Sequence, residues 1–356
     1  MSSLNLIALF AISVVSSFFS NAVFRSISKR NKILIELPDK SRKFHKRPTP
    51  LTGGISILIG SILAIFFALG LNVFDFANTI FDTSILICSV LIVLIFMIDD
   101  GYGLSPRIRF LAQIMISGLL IILSDIYILD LGDILHIGNI NLGGFGPAFT
   151  VFCVVGLMNA FNMVDGINGL CSSLSALIFL YLGIFYNGFI GTQLIYALGA
   201  ICGFLIFNLE ILGRKRLVFL GDHGSNLLGF TAAFALISAS QNPFFDFKPV
   251  TALWFVAIPL FDCLGLIFKR IYRGVGPFDA DRDHLHHRFM DAEYSPRQTL
   301  IIIIIFSVIL SLIGILLQRY ANEFISLILF LFFSSIFYYF SYLLKKYAIK
   351  LKQKNV

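Results

Sequence analysis

Charged residues are scarce in this chain, where Asp, Glu, Lys and Arg make up only 13% of 356 residues. Ordinary globular proteins carry about 25%, so the composition excludes a conventional water-soluble domain. Hydrophobic residues account for 58% of the chain, and the mean hydropathy is +0.89. Runs such as residues 55–72, ISILIGSILAIFFALGLN, are about long enough to cross a bilayer core. The chain is therefore predicted to be a polytopic membrane protein.

Cysteine is also sparse, and none of the five cysteines belongs to a Cys-x-x-Cys pair. All five lie in or beside apolar segments, so neither a disulfide framework nor a cysteine metal site is supported. The first twenty residues contain no basic residue ahead of their apolar run. We therefore predict a retained first helix rather than a cleaved signal peptide.

The apolar segments predict an all-α polytopic fold with about 11 transmembrane helices. No internal repeat is visible, so residues 1–356 are predicted to form a single transmembrane domain. The predicted spans are 3–24, 51–72, 83–98, 108–124, 147–162, 168–187, 191–209, 217–239, 250–268, 299–318 and 323–344.

Basic residues collect on one side of these spans. With the N-terminus outside, only Lys248 and Arg319 of the 27 Lys and Arg residues face outward. The positive-inside rule therefore predicts a periplasmic N-terminus and a cytoplasmic C-terminus. The same asymmetry accounts for the net charge of +7 without any nucleic acid. The predicted inner segments are 25–50, 99–107, 163–167, 210–216, 269–298 and 345–356.

Five polar motifs interrupt the apolar sequence, and all five fall on the predicted cytoplasmic face. A charge at membrane depth costs about 2.5–3.5 kcal/mol by insertion scales, so such residues are usually paired or functional. We predict that the cytoplasmic loops 25–50, 99–107, 163–167, 210–216 and 269–298 form one active site. The motifs are KFHKRPTPLTGG (43–54), IDDGYGLSPRIRF (98–110), NAFNMVDGINGL (159–170), FLGDHGSNLLGF (219–230) and GPFDADRDHLHHRF (276–289).

Oxygen-bearing side chains dominate the second and third motifs. Asp99 and Asp100 are adjacent carboxylates, which repel each other unless a cation or a basic group intervenes. Asn159, Asn162 and Asp165 are three residues apart, so one helical face would carry all three. Such oxygen donors suit Mg²⁺. An ordinary capped helix end would explain one or two of these residues but not the whole group.

The fourth motif places Asp222 beside small residues at the start of an apolar run. A carboxylate with Gly221, Gly224 and Ser225 at a helix N-terminus fits a phosphate or metal–phosphate site. The alternative is a plain helix N-cap. Together with the preceding motifs, this arrangement predicts a cation site.

The fifth motif contains His284, His286 and His287. Zinc is one interpretation, but this spacing lacks a cysteine or a His-Glu-x-x-His frame. Arg282 and Arg288 flank the histidines, and arginine with histidine suits an anion. We therefore favour diphosphate recognition. A cation site and an anion site at one membrane face predict Mg²⁺-dependent chemistry between a phosphorylated soluble substrate and a lipid.

The motifs, in this order, resemble the polyprenyl-phosphate N-acetylhexosamine-1-phosphate transferases. The resemblance spans nearly the whole chain and implies eleven spans with a cytoplasmic active site in a bacterial inner membrane. It implies transfer of N-acetylglucosamine 1-phosphate from UDP-N-acetylglucosamine to undecaprenyl phosphate, with release of UMP, to initiate O-antigen or common-antigen synthesis. The matching residues are 99–100, NAFNMVDGINGL, 208–225, 249–262 and DRDHLHHR (281–288).

The resemblance also implies roles for individual residues. It assigns Mg²⁺, with Mn²⁺ as a substitute, to Asn162 and Asp222, and dimers among relatives make a homodimer the default assembly. The implied catalytic residues are Asp99, Asp100, Asp165, His284, His286 and His287. The implied substrate-binding residues are Lys46, Asn159, Asn168, Phe219 and Arg282.

Some positions depart from the family pattern. Asn168 stands where an aspartate is usual, and His223 stands where a small residue is common. Residues 276–281 replace a more serine-rich stretch, so a sister transferase that uses another UDP-N-acetylhexosamine is the alternative. A UDP-MurNAc-pentapeptide transferase is less favoured. A secondary transporter would place charges near the bilayer midplane and often contains inverted repeats, whereas these motifs lie at one face.

Overall fold

The computed structural model describes residues 3–38, 47–70, 76–185, 189–274, 276 and 283–354. These residues are mostly helical, and β1 (Ile35–Glu36) pairs antiparallel with β2 (Thr49–Pro50). The α-helices are α1 Ser3–Asn31, α2 Gly53–Gly70, α3 Phe76–Tyr102, α4 Pro106–Ser124, α5 Gly146–Val164, α6 Leu170–Phe185, α7 Phe189–Asn208, α8 Asp222–Gln241, α9 Pro249–Phe255, α10 Ala257–Tyr272, α11 Leu285–Asp291, α12 Pro296–Tyr320 and α13 Glu323–Lys354.

Length and hydropathy support a multi-pass membrane protein. Among the described residues, seven helices are long and apolar enough to cross a bilayer, or eight if α9 and α10 form one bent span. Helices α6 and α7 contain shorter apolar stretches. The helical membrane fold is thus confirmed. The count of eleven spans and the orientation of the termini stay predictions.

The predicted segment 250–268 is not one straight helix. It breaks near Val256 into α9 and α10, whose axes differ by 82°. Pro259 lies in the first turn of α10. Proline lacks an N–H, and its ring clashes with the carbonyl of the fourth residue before it, here Phe255. A continuous helix through this point would therefore be distorted.

Helix α8 is the central element of the bundle. Sixteen of its twenty residues are buried, and it packs against α2, α3, α5 and α6. Gly224 meets Gly54 of α2, and Gly229 meets Met158 of α5, at distances that leave no room for a Cβ. Neighbouring helices rather than lipid surround α8, which explains why it carries more small and polar residues than the outer spans.

The turn between α3 and α4 brings the Asp99–Asp100 pair beside the start of α4. Gly103 adopts φ of +72°, a conformation that L-residues with side chains rarely adopt, and lets the chain reverse. Ser105 then caps α4 by accepting the N–H of Ile108 at 3.4 Å.

Candidate active site

Asp100 joins the end of α3 to the start of α8. Its Oδ1 accepts the backbone N–H of Asp222 at 2.9 Å, and its Oδ2 accepts that of His223 at 3.3 Å. The same Oδ2 lies 2.5 Å from Nδ1 of His223, whose side chain is fully buried. Gly221 has φ of +80°, and a Cβ there would collide with His223. Both oxygens of Asp100 are thus used to hold the N-terminus of α8.

Asp222 opens α8 and faces the end of α5. Its Oδ1 accepts a hydrogen bond from Nδ2 of Asn162 at 3.1 Å, and the same amide donates to Oγ of Ser225 at 2.9 Å. Its Oδ2 lies 3.4 Å from Nη1 of Arg109 in α4. The Asp222 side chain is 40% exposed. A carboxylate, an amide and a guanidinium therefore meet at a position that a ligand can reach.

Asp99 is more deeply placed than Asp222. Only 3% of its side chain is exposed. Its Oδ1 accepts the N–H of Leu104 at 2.7 Å, and its Oδ2 lies 3.4 Å from Nε of Arg109. Arg109 therefore bridges Asp99 and Asp222, while Asp100 is turned toward His223.

Asn159 lies one turn deeper than Asn162 and has a different environment. Its Nδ2 donates to Oε1 of Gln113 in α4 and to the carbonyl of Val155, both at 2.8 Å. Gln113 in turn donates to Oδ1 of Asn226 at 2.7 Å. This chain links α5, α4 and α8 below the carboxylates, so Asn159 contacts protein groups that support the site.

The turn after α5 carries Asp165 and Asn168, both half-buried. Burial raises the pKa of the Asp165 carboxyl well above its ordinary value, and repulsion from Asp222 adds to this effect. Gly169, at φ of +83°, donates its N–H to Oδ1 of Asn208 at 2.6 Å. The turn is thus anchored to α7. Repulsion between two carboxylates here favours a bound cation.

The histidine segment is oriented by a carboxylate of α10. Oδ2 of Asp262 lies 2.8 Å from Nδ1 of His284, and its Oδ1 accepts the N–H of Leu285 at 2.8 Å. The ring of His286 lies 5.4 Å from that of His284 and 4.3 Å from that of His287. Asp262 therefore anchors the start of α11, and the three imidazoles form one group.

His286 points at the turn after α5. A Cβ at Gly166 would collide with Nε2 of His286, and this buried nitrogen has no hydrogen-bond partner among the described residues. Burial, followed by repulsion from His287 and His284, lowers the pKa of the His286 imidazole well below 6.5. The structure thus joins the histidine motif to the motif that contains Asp165.

Phe219 lies in an extended segment before α8. Its N–H donates to the carbonyl of Pro50 at 2.9 Å, and its carbonyl accepts the N–H of Gly53 at 3.0 Å. The first and fourth motifs are therefore adjacent. Two predicted substrate-binding residues, Lys46 and Arg282, lie outside the described residues.

The donors around Asp222 fit a hard divalent cation. Within the described ranges, no group of three or more His, Cys, Asp or Glu residues is placed to hold a metal. Mg²⁺ usually keeps several waters and takes one or two carboxylates plus substrate phosphates. Asp222 supplies such a carboxylate, and a 180° rotation of the Asn162 amide would replace its Nδ2 donor by an oxygen ligand.

Relatives of known name match this chain along most of its length. A family profile described as glycosyl transferase family 4 matches residues 83–240. The undecaprenyl-phosphate alpha-N-acetylglucosaminyl 1-phosphate transferase of Salmonella typhi is 34% identical over 326 residues, which cover 89% of this chain and 87% of that protein. The chain belongs to glycosyl transferase family 4. The proteins of the same name from Escherichia coli K12 and Pasteurella multocida are each 34% identical, over 92% and 93% of this chain and 88% and 91% of their own lengths.

The structure of this glycosyl transferase family 4 member brings most of the predicted residues into two groups. The first group comprises Asp99, Asp100, Asn162 and Asp222, and the second comprises Asp165, Asn168, His284, His286 and His287. The packing of α5 against α8 and the turn after α5 connect the two groups.

Sequence reasoning gave no role to four residues of this family member that contact the site. Arg109 lies inside the second motif, and Asn208 and Asp262 lie inside stretches that match the family, so a signal was present for these three. Gln113 is a polar residue inside the apolar sequence of α4, which is also a usable signal. The four residues are Arg109, Gln113, Asn208 and Asp262.

Proposed function

We propose that this protein transfers N-acetylglucosamine 1-phosphate from UDP-N-acetylglucosamine to undecaprenyl phosphate and releases UMP. Relatives that align with about nine-tenths of the chain are named undecaprenyl-phosphate alpha-N-acetylglucosaminyl 1-phosphate transferase. The structural observation that carries the proposal is the junction where Arg109 bridges Asp99 and Asp222. Charged groups at one end of a membrane bundle suit a reaction between a lipid phosphate and a soluble nucleotide.

The reaction exchanges one phosphoanhydride for another. An oxygen of undecaprenyl phosphate attacks the phosphorus that carries the sugar, and a new P–O–P bridge forms. The bond from that phosphorus to the UMP oxygen breaks, and UMP leaves with the electron pair. Both reactants are anions, so positioning and charge compensation supply most of the catalysis.

The chain's own residues suit these tasks. Asp99 accepts the remaining proton of the lipid phosphate or orients that phosphate, because its Oδ2 contacts only the Arg109 guanidinium among the described residues. Arg109 compensates negative charge at the reacting phosphates. His286 stays neutral because of its lowered pKa and offers Nε2 to a phosphate oxygen. Asp100 keeps the start of α8 in place.

The proposed cofactor is Mg²⁺, with Mn²⁺ as a substitute. Asn162 and Asp222 would hold the ion, which supplies charge neutralisation for the diphosphate when it is bound. Burial, together with repulsion from Asp222, raises the pKa of Asp165. A cation near Asp222 would relieve this repulsion.

Purified protein with undecaprenyl phosphate and a panel of UDP-sugars tests the activity. UDP-N-acetylglucosamine should be consumed, and UMP should appear together with a lipid-linked sugar diphosphate. Release of UDP would contradict the mechanism, because it indicates ordinary sugar transfer. Turnover with a different UDP-N-acetylhexosamine alone would favour the sister transferase.

The proposed location is the bacterial inner membrane, with the active site on the cytoplasmic face and a product that initiates O-antigen or common-antigen synthesis. The distribution of basic residues supports this orientation. A cytoplasmic reporter fused after Lys354 should be active, and a periplasmic reporter should be silent. The opposite result would contradict the topology. Analytical ultracentrifugation in detergent would test the proposed homodimer.

A further inference from the structure

A cavity of about 280 Å³ lies between the end of α10, the short helix α11 and the last turns of α13. Its wall contains four cationic side chains, two carboxylates and an apolar strip formed by Ala348 and Ile349. This volume is close to the lower end of small-molecule sites, roughly 300–1,000 Å³. The cavity is therefore large enough for a small polar group.

The wall of the cavity carries more positive than negative charge. One carboxylate, Asp283, pairs with Lys269 of α10, with Arg288 of α11 at 3.2 Å, and with Lys345 of α13 at 3.0 Å. Asp283 is only 8% exposed. Three cations around one buried carboxylate repel each other, and an anion in the cavity would reduce this repulsion.

Arg273 adds a fourth cation that the described protein does not neutralise. It follows α10, lines the cavity and is exposed. Its guanidinium makes no hydrogen bond or ion pair within the described residues. The remaining cation of the wall, Lys352, is paired with Asp291 at 2.8 Å. Arg273 is therefore the residue that a ligand can engage without breaking an existing contact.

The length of α13 indicates that the cavity lies at the level of lipid head groups. Helix α13 has 32 residues, which corresponds to about 48 Å at roughly 1.5 Å per residue. A hydrocarbon core is about 30 Å thick, so one end of α13 extends beyond it. That end contains all five lysines of the helix, whereas Glu323 begins the opposite end. Basic pockets between helices at this level suit phosphate head groups.

The cavity and the histidine group are on different sides of α11. His286 faces Gly166, whereas Arg288 donates to Oγ of Ser341 and Asp291 pairs with Lys352, both on α13. A ligand in the cavity would therefore contact α11 from the side that faces α13.

We propose that this cavity binds the phosphate group of an anionic ligand, with a membrane phospholipid as the source that its position favours. Arg273 and Lys345 contact the phosphate, and the strip of Ala348 and Ile349 lies along the apolar part of the lipid. The site is separate from the proposed transferase site, and its test requires no turnover.

The test measures binding of a fluorescent phosphatidylglycerol to the full-length protein in zwitterionic micelles, with phosphatidylcholine as the reference lipid. Wild type should prefer phosphatidylglycerol. Arg273→Gln should weaken its binding about fivefold, as expected for loss of one cation near the membrane surface, and Arg273→Lys should restore most of it. Lys346→Gln is the matched control, because Lys346 is exposed and does not line the cavity.

Inorganic phosphate and UDP-N-acetylglucosamine are added as competitors. Displacement of the lipid by millimolar phosphate, dependent on Arg273, supports recognition of the phosphate group. If phosphate binding depends on Arg273 but wild type shows no preference for phosphatidylglycerol, the cavity binds anions and the proposal of a phospholipid ligand is wrong. If wild type and Arg273→Gln bind phosphatidylglycerol and inorganic phosphate equally well, the proposed site is wrong. If UDP-N-acetylglucosamine displaces the lipid, the cavity is not separate from the transferase site.

Discussion

The two ends of α8 are held in different ways. At the C-terminal end, Gln241 accepts the N–H groups of Leu129 and Asp130 at 2.9 and 3.1 Å, and it donates to the carbonyl of Asp130 at 3.0 Å. At the N-terminal end, Asp100 accepts two backbone N–H groups while Arg109 is shared between two other carboxylates. The amide that holds the first end is neutral and hydrogen-bonded, and the second end has an excess of negative charge.

This difference indicates which end was shaped for a ligand. A neutral amide that satisfies three backbone groups stabilises a loop and leaves no capacity for another partner. Clustered carboxylates that share a single guanidinium lower the stability of the fold unless a bound cation neutralises them. Substitutions at the N-terminal end of α8 should therefore affect mainly activity, and substitutions at the C-terminal end should affect mainly stability.

The largest effect is expected for Asp222→Asn at the N-terminal end. The change keeps the shape of the side chain but removes the charge that would hold Mg²⁺. The kcat should fall by about 10²–10³, the usual effect of losing one preorganised electrostatic group. Initial rates of UMP release measure this, and thermal unfolding in detergent verifies folding. A folded variant with nearly wild-type kcat and unchanged Mg²⁺ dependence would remove Asp222 from the metal site.

Asn162→Ala should have the next largest effect. Loss of the side chain that contacts Asp222 at 3.1 Å should raise the Mg²⁺ concentration for half-maximal rate by roughly 10–100-fold, as is typical near metal sites. Asn159→Ala is the matched control, because Asn159 contacts Gln113 rather than the carboxylate. A Mg²⁺ titration of the rate measures both. Equal shifts in the two variants would contradict a specific role for Asn162.

Gln241→Ala should produce the reverse pattern at the C-terminal end. Two backbone N–H groups and one carbonyl would lose their partner, at a cost of about 1–3 kcal/mol in the free energy of unfolding. The apparent Tm should fall while kcat at saturating substrate stays unchanged. A fall in kcat as large as that of Asp222→Asn would show that the two ends are not functionally distinct.

The smallest expected effect is a change in the pH dependence of Tm in the variant His286→Asn. Its folded pKa lies well below the unfolded value of 6.5, so the folded state binds this proton less readily than the unfolded state. The contribution of the neutral His286 imidazole to the free energy of unfolding is therefore complete above pH 6.5, and it is lost as the pH falls below this value. His286→Asn should flatten the decline in Tm between about pH 6.5 and 5. Parallel curves for variant and wild type would contradict a depressed pKa.

The sequence predicted the helical membrane fold and one pair of neighbouring residues within the site. The prediction that Asn162 and Asp222 are neighbours agrees with their contact at 3.1 Å, although their role as metal ligands stays a prediction. Asn159 shares the periodicity of Asn162 but points to Gln113. Helical spacing places residues on one face, whereas the identity of the neighbouring helix at each depth decides their contacts.

The break between α9 and α10 was less accessible to sequence reasoning. Pro259 lies in an apolar run whose composition alone is compatible with a single span. Asp262 lies in the helix that follows the bend of 82° and contacts His284. A helix kink at proline is a local property, but its angle depends on the packing of neighbouring helices.

Composition by itself determined that this chain enters a membrane, because too few charged residues are present for a water-soluble surface. The order of the five motifs determined the family, and the distribution of Lys and Arg predicts which face holds the site. Only the tertiary structure decided that Asp100 binds His223 and that Arg109 bridges Asp99 and Asp222. These partners are brought together by the packing of α3 against α8 and of α4 against α3 and α5. Hydrogen bonds across helices depend on distances of a few ångströms that sequence periodicity does not specify.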